Sequence, residues 1–391
     1  MIFINFETFH LFPSIGQYYN YKLLIIPILF IFMLDIFLRG DFKLGKFGGW
    51  ALMFFGIVIL GIFVASWWGQ PFILGIKDVK TSMLFLSYFL IVNQKVDIDK
   101  FIKYFLSMGL MVSVVVIIQY IVYHKFHFIH LDEEQLEMYA TQVRGLRIKE
   151  GAVLITTASV VSFARYLKSQ NKWYLFLFIE FFMHVMFIIK TRMLLVGIFA
   201  TVLTLYLIYR RFSISTVLST MFGIVIFAII TLQLYAAGET KLIKATKEDL
   251  QDTHGSYSAR LHAYNYYFSQ FKKSPFFGYG CWNYDWKKNP EARLEARGIH
   301  FSDIGIIHLI YSSGIIGVVW FIFGLIRFIK NILQQYQHID ITGYILLACT
   351  TISTIDYFLR SDTIFLFGMF LGFLSIVCKE TLDRKILTVN A

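Results

Sequence analysis

Residues 47–66 read FGGWALMFFGIVILGIFVAS, twenty positions without one charged side chain. About 20 apolar residues, rising 1.5 Å each as a helix, cross the hydrocarbon of a bilayer. Ten further blocks of this kind are read at 21–38, 72–92, 101–123, 150–167, 173–189, 191–209, 213–236, 303–326, 341–359 and 363–378. None alternates with period two, which excludes a membrane barrel. The expected fold is all-α: a polytopic transmembrane helix bundle of about eleven spans (10–12), one integral membrane domain over 1–391.

Composition agrees. Of 391 residues, 57% are hydrophobic and 16% charged, against about 25% charged in soluble domains. The 42 Phe and only 5 Pro exclude a disordered or low-complexity chain. The net charge of +11 does not point to nucleic acid, because Lys and Arg sit mostly between the apolar blocks. Topology and anionic lipid account for them. Three Cys, with no CxxC and no Cys/His spacing, give neither a disulfide framework nor a metal site. No Walker motif is present, and no cofactor is expected.

Orientation follows from basic residues in the short loops. Arg39, Lys43, Lys46, Lys95, Lys100, Lys168, Lys172, Arg210, Arg211, Arg327, Lys330, Arg384 and Lys385 mark the cytoplasmic side. Two long loops are then extracytoplasmic: 124–149, with the amphipathic stretch EEQLEMYATQVRGLRIKE, and 237–302. The second lies between late spans and reads as partly helical over SYSARLHAYNYYFSQFKKS, which SPFFGYG terminates.

Several polar residues stand where a membrane disfavours them. A span at 72–92 draws in Lys77, Asp78 and Lys80, with Lys80 roughly 12 Å from its outer end. A cation at that depth faces a cavity, or snorkels out. Glu180 and His184 are one turn apart within 173–189. They read either as a mutually satisfied pair or as a proton-relay or sugar-binding pair. Arg144, Arg147, Arg192, Arg260 and Arg360 fall on the outer side, where guanidinium groups suit phosphate. Headgroup contacts, and for Arg360 a bond to Asp356, are the alternatives. His300 and Asp303 stand where the long loop re-enters, with His308 further into the next span. Trp282, Tyr284 and Trp286 alternate in the loop, as sugar-stacking or interfacial rings.

The run SARLHAYNYYFSQFKKSPFFGYG, at 258–280, resembles a segment of the O-antigen polymerase and ligase superfamily. So does HFSDIGIIHLIYSSGIIGVVWF, at 300–321, with its Gly314-Ile315-Ile316-Gly317, and so does Thr191-Arg192. The likeness covers roughly 140–325. In the ligase-like pattern a His lies eleven residues before the first of these glycines. That position here is Asp303, so the base is His300 or Asp303, and the pattern leans toward a polymerase.

The resemblance implies a metal-independent glycosyltransferase of the bacterial inner (plasma) membrane, multi-pass, with its site facing the periplasm or exterior. It would join polyprenyl-diphosphate-linked repeat units of a surface polysaccharide: O-antigen, capsule or exopolysaccharide. The implied catalytic residues are His300 or Asp303 and Arg260. Arg192, Lys80, Arg147, Arg144, Arg360 and Trp282 would bind diphosphate or glycan. Expected partners are the lipid-linked oligosaccharide, the growing glycan acceptor and membrane lipid, with a chain-length regulator as a further candidate. The alternatives are ligase-type transfer to a lipid or protein acceptor, or a transporter for lipid-linked glycan.

Overall fold

The computed structural model describes residues 21–40, 42–94, 96–126, 148, 151–210, 256–283, 285–295, 306–334, 341, 347 and 361–389. Among them there is no strand. The helices are α1 (Tyr21–Leu38), α2 (Gly48–Trp67), α3 (Phe72–Val79), α4 (Ser87–Asn93), α5 (Ile98–Phe126) and α6 (Ala152–Ser169). They continue as α7 (Lys172–His184), α8 (Arg192–Tyr209), α9 (Ser256–Phe271), α10 (Pro290–Glu295), α11 (Ile306–Gln334) and α12 (Ser361–Val389).

The stretches Gly48–Trp67, Ile98–Tyr123, Lys172–Ile189 and Ile306–Asn331 are long and apolar enough to cross a membrane. Ile26–Leu38, Leu194–Tyr209 and Ile364–Cys378 are shorter apolar helices. The expected spans at 213–236 and 341–359 lie outside the described residues, apart from Ile341 and Leu347. So does nearly all of the 124–149 loop. Within 237–302, α9 supplies the expected helical part, and α10 is a further short helix that the sequence reading did not anticipate.

The chain groups into two compact units. One gathers Tyr19–Ile102 and Ala259–Ala391, the other Lys103–Ser258. In the first unit α12 packs on α4, and α11 and α3 pack on α2. Trp50 of α2 stacks on Trp320 of α11, with ring centroids 4.3 Å apart. At one end the Tyr88 hydroxyl donates to the Leu44 carbonyl and accepts from the Phe47 N–H. The Lys46 N–H donates to Ser375 Oγ of α12.

The expected helix at 72–92 is broken. Between α3 and α4 the chain runs as a 3₁₀ helix over Lys80–Leu86. That is longer than the three or four residues such helices usually hold. Packing sustains it, since both α1 and α12 lie against it.

In the second unit α7 and α8 both pack on α6. After His184 the chain becomes π-helical over Val185–Ile189. It closes on Lys190, whose left-handed backbone lets its N–H reach the Val185 carbonyl at 2.9 Å.

Candidate functional site

Near its head, α11 is not one helix. Gly314 has φ 60° and ψ −153°, which interrupts the ladder. The backbone groups freed around this break are taken up by the loop that follows α9. Tyr279 N–H donates to the Tyr311 carbonyl and Gly280 N–H to the Ser312 carbonyl, each at 2.9 Å. In return Ile315 N–H donates to the Pro275 carbonyl at 2.8 Å. An apolar surrounding tolerates irregular backbone only where such groups are satisfied by protein. The Ser-Pro-Phe-Phe-Gly-Tyr-Gly and Gly-Ile-Ile-Gly stretches, far apart in sequence, are therefore two halves of one joint. Their glycines are required by it. A Cβ on Gly314 would strike the Phe276 carbonyl, and one on Gly280 the Gly61 carbonyl of α2.

The loop is also held from below. Gln70, just past α2, donates to the Cys281 carbonyl at 3.0 Å and accepts from the Asn283 N–H at 2.8 Å. Cys281 is not the loop thiol that its polar neighbours suggest. A Cβ on Gly61 would come 2.9 Å from its sulfur, and burial pushes the thiol far up from its ordinary pKa.

This joint gathers an aromatic cluster of Tyr267, Tyr279, Trp282 and Tyr311, with Ala65 and Ala263. Trp68, Tyr279 and Tyr311 stack in a column, with centroids 4.8 and 5.0 Å apart. It runs from a 44% exposed ring to one that is 1% exposed. Trp282 stacks on Trp286, and its indole N–H donates to the Tyr311 hydroxyl.

Against the cluster lies a buried acid–base pair. His308 Nε2 is 3.2 Å from Glu291 Oε1, and the two residues are 7% and 4% exposed. Local sequence sets Glu291 in place. Asn289 caps α10 by accepting from the Glu291 N–H at 2.8 Å. Pro290 occupies the first helical position, where no N–H is needed. Asp78, on α3, lies within electrostatic reach of Glu291, His308 and Lys80. Two carboxylates, an imidazole and an ammonium thus neighbour a wall of rings. Such a set can take a proton from a hydroxyl and stack on a sugar face.

Of the residues singled out in the sequence, Lys80 stands exposed at the head of the 3₁₀ stretch. Trp282 is buried and committed to Tyr311, so Trp68 and Trp286 carry the exposed ring area instead. Position 260 falls on α9, three and seven residues before Ala263 and Tyr267. Arg192 opens α8 in the second unit. His300, Asp303, Arg144, Arg147 and Arg360 lie outside the described residues. Sequence reasoning missed Glu291, although the helix-start signature Asn289-Pro290-Glu291 was there to flag it.

Residues 175–322 match the family model described as O-antigen ligase. The match covers 148 of the 391 residues, and over that segment the chain is similar to this family. The matched span contains α9, the Gly314 joint, Glu291 and His308. No curated protein matches the chain.

Proposed function

We propose that the chain is a surface-polysaccharide polymerase that joins polyprenyl-diphosphate-linked repeat units on the outer face of the bacterial inner or plasma membrane. What carries the reading is the seating of a buried His–Glu pair and an aromatic wall on the joint between the two motifs. All of these lie inside the O-antigen ligase match or pack against it. An acceptor hydroxyl attacks the anomeric carbon of the donor, and the bond to the diphosphate oxygen breaks. The electron pair leaves with the diphosphate, and the hydroxyl proton passes to a base. Arg260 and Lys80 are the cations proposed to stabilise the charge growing on the leaving oxygen. The base is His300 or Asp303. Trp68 and Trp286 are the rings proposed to stack on sugar. The donor arrives activated by its diphosphate, so the reaction needs no nucleotide, and these cations are proposed to serve without a metal.

The test uses purified protein and lipid-linked repeat units in EDTA, with product read on a gel. A ladder of lengthened glycan supports the polymerase reading. Transfer only to a lipid core or protein acceptor supports the ligase alternative. Movement of the lipid-linked glycan across a vesicle bilayer without lengthening supports a transporter. Arg260→Ala is expected to cost about 3 kcal/mol in the transition state, with incomplete rescue by Arg260→Lys because a point charge lacks the bidentate fork.

A further inference from the structure

Helices α5, α6 and α7 of the second unit meet at Gly109, Ala158 and Phe181. A Cβ on Gly109 would lie 3.0 Å from that of Ala158 and 3.4 Å from the Phe181 ring. One turn along α5, Ser113 Oγ donates to Glu180 Oε1 and sits 2.7 Å from His184 Nδ1. Ser113 is fully buried and His184 is 2% exposed. The acid and the imidazole, one turn apart on α7, are thus joined through a hydroxyl of another helix. Among the described residues, Glu180 Oε2 and His184 Nε2 are buried without a hydrogen-bond partner. The same holds for the hydroxyls of Thr156, Ser159 and Ser162 on α6, the helix packed along α7. Buried polar atoms are rarely left so, and a run of them calls for a ligand that makes hydrogen bonds.

The proton count narrows what that ligand is. Ser113 has one hydroxyl hydrogen and two partners. With Ser113 and His184 buried and Glu180 partly so, the cluster is favoured when it carries no net charge. Three neutral forms exist. In the first, Glu180 is ionised and accepts from Ser113, whose oxygen accepts from an imidazolium Nδ1–H. In the second, Glu180 holds the proton and donates it to Ser113, which donates to Nδ1. In the third, Glu180 holds the proton on Oε2, Ser113 donates to Oε1, and a neutral imidazole donates Nδ1–H to Ser113. The first two interconvert by moving the carboxyl proton onto Ser113 Oγ and the Ser113 proton onto Nδ1, with nothing added or lost. In the first two, Nε2 carries a hydrogen and Oε2 accepts; in the third, Oε2 donates and Nε2 accepts. In every form the two unpartnered atoms are one donor and one acceptor, which suits a water molecule.

Most other ionisable groups on these helices stand off along the axes. Lys103, Lys172, Lys190 and Tyr120 are each six residues or more from the nearest junction or cluster residue of their own segment, roughly 9 Å at 1.5 Å per residue, and Tyr104 is five from Gly109. Arg165 is the near one, a turn beyond Ser162 on α6 with buried guanidinium atoms. On α8, which packs on α6, the ionisable side chains are Arg192, Tyr206 and Tyr209 near its ends.

We propose that Ser113, Glu180 and His184 form a proton-binding site that holds one exchangeable proton, reached through a hydrated seam lined by Thr156, Ser159 and Ser162. The site belongs to α5–α7 and stands independently of the glycosyl-transfer reading.

Infrared difference spectra of the purified protein in nanodiscs, titrated from acid to alkaline pH in H₂O and D₂O, test it. A protonated-carboxyl band is expected that Glu180→Gln removes, that Ser113→Ala shifts, and that moves in D₂O within the mixing time. In the Thr156→Ala/Ser159→Ala double variant that exchange is expected to slow at least tenfold. A spectrum unchanged by Glu180→Gln overturns the proposal, and so does a carboxyl band that does not exchange in D₂O. Should Glu180→Gln fail to fold, Ser113→Ala reads the same bond: an unshifted band overturns the site, a shifted one supports it.

Discussion

Trp50 and Trp320 are bonded to each other twice. Each indole N–H donates to the other residue's backbone carbonyl, at 2.9 and 3.0 Å, while the rings stack 9° from parallel. The pair locks α2 to α11, and Gly324 makes room for it, since a Cβ there would strike the Trp50 ring. Gly324→Ala is expected to destabilise by about 1–3 kcal/mol through overpacking. Trp50→Phe gives up one of the bonds, about 1 kcal/mol, together with ring contact. Unfolding midpoints in detergent, compared with wild type, check both.

The joint between the loop and α11 predicts a contrast among glycines. Gly314→Ala and Gly280→Ala force a Cβ onto backbone at positive φ, so the loop should undock. A methyl added at Gly56 of α2 would meet nothing within 4 Å. Gly56→Ala is therefore expected to be neutral or to stabilise by about 0.5–1 kcal/mol. Limited proteolysis across 274–289 should speed up in the first two variants and not in the third. Equal cleavage in all three would show that the loop is not held by this joint.

The buried His308–Glu291 pair predicts asymmetric losses. Glu291→Ala leaves the imidazole without its carboxylate, at a cost of about 3–5 kcal/mol. Glu291→Gln keeps an oxygen toward His308 and should cost less. If the two side chains act on each other, the Glu291→Gln/His308→Gln double variant will lose less stability than the two singles added together. A double-mutant cycle by denaturant unfolding measures that coupling.

Cys281 should resist alkylation. Its thiol is pushed up by burial, so raising the pH to about 9 should generate little thiolate, although an ordinary thiol near pKa 8.5 would be mostly ionised there. In a chain with Cys349 and Cys378 replaced, maleimide labelling is expected to stay slow across that range and become fast on denaturation. Asp285→Cys, at an exposed loop position, is the better reporter of which side of the membrane the loop faces.

Span positions were legible because length and apolarity are what a bilayer demands. The block at 47–66 became Gly48–Trp67, and 173–189 became Lys172–Ile189. Interruptions were not legible. Around Gly314 the sequence IYSSGIIGVVW reads as unbroken apolar helix, and the break depends on a loop 35 residues upstream supplying the missing partners. The 3₁₀ stretch at Lys80–Leu86 likewise depends on packing by α1 and α12. Of the candidate site, His308 and Asp78 drew notice as ionisable groups in apolar surroundings. Glu291 meets His308 across seventeen residues with no periodicity to link them. Glu180 and His184 were recognised as neighbours on one helix, but the hydroxyl that bridges them comes from α5, 67 and 71 residues away.

The hydrogen bonds that close the break at Gly314 run between main-chain atoms. A bond from one peptide group to another does not depend on the side chains beside it. Away from its glycines and from the buried Tyr279, Trp282, Asn283 and Asn289, the loop can therefore exchange one residue for another without losing its seat. Phe276, Phe277 and Asp285 already point outward and are the positions freest to drift. Such a seat lets a lineage alter the surface the loop presents by single substitutions while the frame beneath stays still. Diversification would then be concentrated in a handful of codons between 276 and 288, with the three glycines at 278, 280 and 314 held fixed.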